Sequence, residues 1–116
     1  MSGATAAGRL RAFEVAELLE RRRRGGASWL EFLRVPALSM GVYVLAAGAE
    51  DPQTPHAEDE VYYALSGRGV LRVGGEDHPV APGALLFVAA EAEHRFHAIE
   101  EELTLLVFFA PAESSP

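Results

Sequence analysis

The chain has 116 residues, no cysteine and a net charge of −7 at pH 7. That length fits one domain, and the missing cysteine excludes disulfides, thiolate metal sites and cysteine nucleophiles. All ten basic residues are arginine, which excludes a Schiff-base lysine.

Residues 1–12 begin with small uncharged residues and are expected to be a flexible end. A helix is expected over 13–26. Val15, Leu18 and Leu19 form its apolar stripe, Glu14, Glu17 and Glu20 come early, and Arg21 to Arg24 come late, as the helix dipole favours. Gly25-Gly26 ends it. From 27 to 112 the chain reads as short strands and turns. The runs are Trp29 to Val35, Leu38 to Ala46, Glu60 to Leu65, Val70 to Val73, His78 to Ala81, Ala84 to Ala89, His94 to Ile99 and Leu103 to Ala110. Gly67-Arg68-Gly69, Gly74-Gly75 and Pro82-Gly83 are read as turns between them. About eight closely spaced strands predict an all-β sandwich or barrel. The run Leu103 to Phe109 is apolar on both faces, which calls for a second layer or a partner subunit. Residues 113–116 read as a flexible tail.

The charge is unevenly placed. Residues 1–34 hold seven Arg against four Glu, and residues 35–116 hold three Arg against thirteen acids. Nucleic-acid affinity comes mainly from neutralised phosphates, so no nucleic-acid partner is expected. Solvated arginines at a helix C-terminus account for Arg21 to Arg24. The apolar stretches Met40 to Ala49 and Leu103 to Ala112 fall short of the ~20 residues of a bilayer span. No basic segment precedes an apolar one at the start, so a cytoplasmic protein is expected.

Histidines carry the chemistry. In an extended segment His56, Glu58 and Glu60 share a face. Imidazole beside carboxylate there is either the start of a metal site or, for Glu58 and Asp59, a solvated acidic loop. His97 has the opposite parity to His94 and should face away from it, and His78 follows a turn at the surface. Tyr62 shares parity with Glu60, and Phe96 with His94, so each is a pocket-wall candidate or plain core. Gln53, between Pro52 and Pro55, is either a further oxygen donor or a turn residue.

The chain resembles the cupin family. That family's first motif is Gly, five residues, His-x-His, three or four residues, Glu, six residues, Gly; Gly48, His56, Glu60 and Gly67 fall on it. Its second is Gly, five residues, Pro-x-Gly, two residues, His, three residues, Asn; Gly83 and His94 fall on it. The likeness covers roughly residues 38–110. Thr54 stands at the first motif's leading His, and Ala89, Glu91 and Ala98 replace Pro, Gly and Asn of the second. Glu91 sits where Gly would take a positive φ that Glu resists.

The resemblance implies a small antiparallel β-barrel of the jelly-roll, or double-stranded β-helix, type after one N-terminal helix. It also implies one divalent ion (Fe, Mn, Ni or Zn) held by His56, Glu60 and His94. Gln53 or water would complete the shell, with Thr54 beside the pocket. The implied function is dioxygenase or isomerase chemistry on a small oxygen-bearing molecule. The alternative is a sensor or binding module without turnover. A homodimer is expected.

Overall fold

The structure is a computed structural model, and it describes residues 3–5, 9–53 and 55–114. Strands β1 (Gly3–Thr5) and β2 (Leu10–Ala12) pair as a separate two-stranded antiparallel sheet. The stretch expected to be a flexible end thus contains paired backbone in its described part. Helix α1 (Val15–Gly25) follows, and the backbone N–H of Gly26 closes it by donating to the carbonyls of Arg22 and Arg23. Arg22 also donates to the Ala27 carbonyl, and Arg23 pairs with Glu20. Leu18 is the helix's buried residue. No described helix is long and apolar enough to cross a membrane.

The remaining strands are β3 (Trp29–Val35), β4 (Leu38–Leu45), β5 (Asp59–Val73), β6 (Glu76–Val80), β7 (Leu85–Val88) and β8 (His94–Ala110). They form one antiparallel sheet in the order β3-β4-β8-β5-β6, with β7 also on β5. The sequence suggested two strands on either side of a Gly67-Arg68-Gly69 turn, and two more between His94 and Ala110. Each pair is instead one long strand. Gly67 takes φ +92°, and a Cβ there would collide with the Glu102 carbonyl of β8. The register slips around Ser66 and Arg68. Gly67 therefore belongs to a bulged stretch that bends β5 while it stays paired with β8.

Alternation along these bent strands sets the core. Glu60, Tyr62 and Ala64 of β5 point inward, as do His94 and Phe96 of β8. Ala98 takes a positive φ of 49°, and beyond it the inward set switches parity to Ile99, Leu103, Leu105, Val107 and Phe109. Full burial of side chains such as Leu103 and Leu105 contributes roughly 1.5–3 kcal/mol each.

The outer face is apolar too. Directly paired residues share a face, so Leu33, Met40, Phe108, Val61 and Phe87 form one row across five strands. Leu30, Val42, Leu106, Tyr63 and Leu85 form a second. Helix α1 lies against β3 and β4, whereas Leu85 and Phe87 stand 71% and 66% exposed.

Candidate metal centre and its cavity

Three segments deliver the donor atoms. His56 lies in the loop before β5, Glu60 is the second residue of β5, and His94 opens β8. The turn before β8 is tied to the His56 loop, because the Glu91 N–H donates to the His56 carbonyl at 2.7 Å. Glu91 holds φ at 65°. The left-handed turn expected from glycine is thus kept by a residue for which it costs roughly 1–2 kcal/mol. Asp59 supports the same turn by accepting from the Ala90 N–H at 2.9 Å.

One donor atom from each of His56, Glu60 and His94 lies within 4.8 Å of the other two. The Nδ1–H of His94 donates to the Ala92 carbonyl at 2.9 Å, which leaves Nε2 with a lone pair. That Nε2 stands 3.0 Å from Glu60 Oε1 and 3.3 Å from Gln53 Oε1. His56 Nδ1 faces Glu113 Oε2 at 3.3 Å, and its Nε2 lies 3.1 Å from the same Gln53 oxygen. Glu60 Oε1 is buried without a hydrogen-bond partner. Two imidazole nitrogens, a carboxylate oxygen and an amide oxygen therefore converge with few protons between them. Burial pulls the His94 imidazole down, but the Glu60 carboxylate and the Ala92 carbonyl outweigh it and leave its pKa raised.

Asp51 orients the amide. A carboxylate only accepts hydrogen bonds, and Asp51 Oδ2 takes one from Gln53 Nε2 at 2.6 Å and one from the Phe96 N–H at 2.9 Å. The Gln53 NH₂ must face Asp51, so its oxygen faces the imidazoles. Asp51 Oδ1 accepts from the Tyr43 hydroxyl at 2.6 Å. The Tyr62 hydroxyl donates to Gln53 Oε1 at 3.1 Å and lies 3.2 Å from His94 Nε2. Burial first, then the charge of Glu60, holds the Tyr62 phenol well above its ordinary value. It stays protonated.

Beside the cluster lies a cavity of about 150 Å³. Trp29, Tyr43, Val107 and Phe109 make its apolar wall, and Gln53, His56, Glu60, Tyr62 and Glu113 its polar one. Glu113 comes from the segment read as a flexible tail. Its N–H donates to Ser39 Oγ, its carbonyl accepts from Arg34, and Ser114 donates twice to Glu58 Oε2. The Glu113 carboxyl is pushed up to about 7, first by burial and then by the charges of Glu60, Glu58 and Glu31, with Arg34 opposing.

Other expectations are corrected. Glu58 is 4% exposed, so it is no solvated loop residue, and it faces Ser114 rather than the metal cluster. Phe96 packs edge-on against Tyr62 at 4.8 Å, in the core behind the cavity wall. Thr54 lies outside the described residues. His97 pairs with Asp77 at 3.0 Å and His78 is exposed, both away from the cluster. The sequence reading missed Trp29, Tyr43, Asp51 and Glu113. Only Asp51, next to a proline-bounded loop, carried a local hint.

Comparison with known proteins supplies the remaining findings. A family model described as a Cupin domain matches residues 41–110. An uncharacterized protein of Streptomyces coelicolor is 45% identical over 105 residues, which are 90% of this chain and 100% of that protein. The solved structure of TT1209 from Thermus thermophilus superposes with a TM-score of 0.70 at 28% identity, covering 87% of this chain and 97% of that one. KdgF from a Halomonas species gives 0.66 at 20% identity over 72% and 76% of the two chains. A cupin protein from Bacteroides fragilis gives 0.63 at 23% over 78% and 82%. The last two likenesses concern the jelly-roll fold alone.

Proposed function

The chain belongs to the cupin family, and from that premise we propose that it holds one divalent ion of Fe, Mn, Ni or Zn and acts on a small oxygen-bearing molecule. His56, Glu60 and His94 are the proposed protein ligands, with Gln53 Oε1 as the fourth. The observation that carries the reading is Glu60 Oε1, buried without a hydrogen-bond partner in the structure and 3.0 Å from His94 Nε2. Buried polar atoms are nearly always paired, and a cation satisfies lone pairs that no proton serves. Mixed imidazole, carboxylate and amide donors suit first-row divalent ions without selecting sharply among them.

When bound, such an ion supplies Lewis-acid polarisation of a ligand oxygen, or a redox centre for oxygen chemistry. The protein's own residues supply the rest. Ala92 and Glu113 fix the two imidazole tautomers, and Asp51 fixes the amide. Glu113, which lines the cavity and faces His56 at 3.3 Å, is placed to move a proton at the cavity wall. An acid–base group beyond the ligands supports turnover, as a dioxygenase or isomerase, over a purely binding role. Wild-type protein, loaded with each ion in turn and desalted, should retain about one ion per chain, and His94→Ala should lose most of it. Retention of none of the four ions would end this reading.

The reading includes a homodimer and, on the sequence alone, a cytoplasmic location. The outer rows ending at Leu85 and Phe87 are apolar across five strands, and such a face is suited to a second copy. Light scattering at micromolar concentration should give twice the chain mass, and Leu85→Lys with Phe87→Lys should halve it. A monomeric wild type would refute the dimer.

A further inference from the structure

We propose that the cavity accepts a single small, uncharged aromatic ring bearing an oxygen donor, a phenol or catechol, and rejects ligands that carry a second anionic group. The oxygen contact rests on the metal-binding reading above, whereas the ring contact stands on the cavity alone.

Size comes first. The cavity's volume, about 150 Å³, matches that of an engineered protein cavity that takes up benzene. One six-membered ring fills such a space.

The lining is mixed. Trp29 stands edge-on to both Tyr43 and Phe109, with centroids 6.2 Å apart in each case, and Phe109 lies 5.0 Å from the His56 ring. These faces favour a flat unsaturated ligand packed edge-to-face or offset. The indole can lie there because Gly41 stands diagonally across from it on β4: a Cβ at that residue would run into the Trp29 ring. Gln53, His56 and Glu60 line the same cavity. A ligand therefore meets polar partners as well as aromatic carbon.

Charge sets the exclusion. Among the described residues no arginine lines the cavity, and the chain has no lysine. Its acidic wall residues are Glu60 and Glu113. A bound ion can meet one oxygen of a ligand. No cationic side chain of the described lining can pair with a second anionic group, and burying an unpaired charge is costly.

The test uses the full chain loaded with zinc, which is redox-silent. Zinc stoichiometry is measured first and separately, so loss of the metal site is seen as such. Phenol, terephthalate and malonate are then titrated by calorimetry. Trp29 is the chain's single tryptophan, so its emission, excited at the red edge, reports occupancy of the cavity. Phenol should bind and shift that emission in both the zinc-loaded and the metal-free protein, more tightly with zinc. Terephthalate, which keeps a carboxylate at whichever end the zinc leaves free, should bind about tenfold or more weakly, and malonate should leave the emission unchanged. Gly41→Ala, which drives the indole into the cavity, should weaken phenol binding with zinc stoichiometry kept. If that variant does not fold, Trp29→Leu should weaken phenol binding measured by calorimetry. Equal or tighter binding of terephthalate, or an emission shift on adding malonate, would overturn the proposal. So would the absence of phenol binding at millimolar concentration to protein with full zinc.

Discussion

Glu113→Gln should make the metal-free protein relatively more stable as pH rises. The Glu113 carboxyl is raised from its ordinary 4.5 to about 7, chiefly by burial and then by Glu60, Glu58 and Glu31. The folded state thus binds this proton more tightly than the unfolded chain does. The stability that Glu113 contributes is fully present below pH 4.5 and is lost as pH rises through about 7. A rise of that size is worth at most about 3 kcal/mol. Arg34 and solvent near the cavity rim screen part of it, so about 1–3 kcal/mol is expected. Glutamine keeps the size of the side chain and removes the ionisation. Urea unfolding of the wild type and Glu113→Gln, both stripped with a chelator, gives the stability difference at each pH from 4 to 8. That difference should move in favour of the variant between pH 4.5 and about 7 and then level off. A difference independent of pH would refute the burial argument. So would one that moves in favour of the wild type, which would mean that the Glu113–His56 contact outweighs desolvation.

Asp51→Asn should weaken metal retention about tenfold or more, because an asparagine NH₂ can turn toward Gln53 and let its amide flip; a chelator competition reads this, and unchanged retention would count against Gln53 as a ligand. Glu91→Gly should be more stable than Glu91→Ala by roughly 1 kcal/mol, since φ at this residue is 65°; paired denaturation curves check the sign, and the reverse order would mean that the turn relaxes.

The sequence by itself determined which side chains could meet. The intervals between His56, Glu60 and His94 matched known motifs, and strand parity turned His97 away. The acidic-to-basic gradient and the glycine pair bracketed α1 to within two residues, and β3 ran from Trp29 to Val35 as expected. These are local signals, set by the period of one element or by the dipole of one helix. The same local view could not tell a turn from a bulge at Gly67. A positive φ serves both, and only the strand lying against it, at Glu102, makes the chain continue rather than reverse. Nor could it find Glu113. Residues 113–116 read as a tail until Ser39, Arg34 and Glu58, all at least 56 positions away, take up the backbone groups of Glu113 and the N–H and hydroxyl of Ser114. Trp29 and Tyr43 belong to β3 and β4, and they wall the cavity only because those strands pack beside β8 and β5. Donor identity was legible because it is a property of single residues. The cavity's size, the absence of arginine from its described lining and the carboxyl near neutral pKa were not, because each depends on which distant strands close around one point.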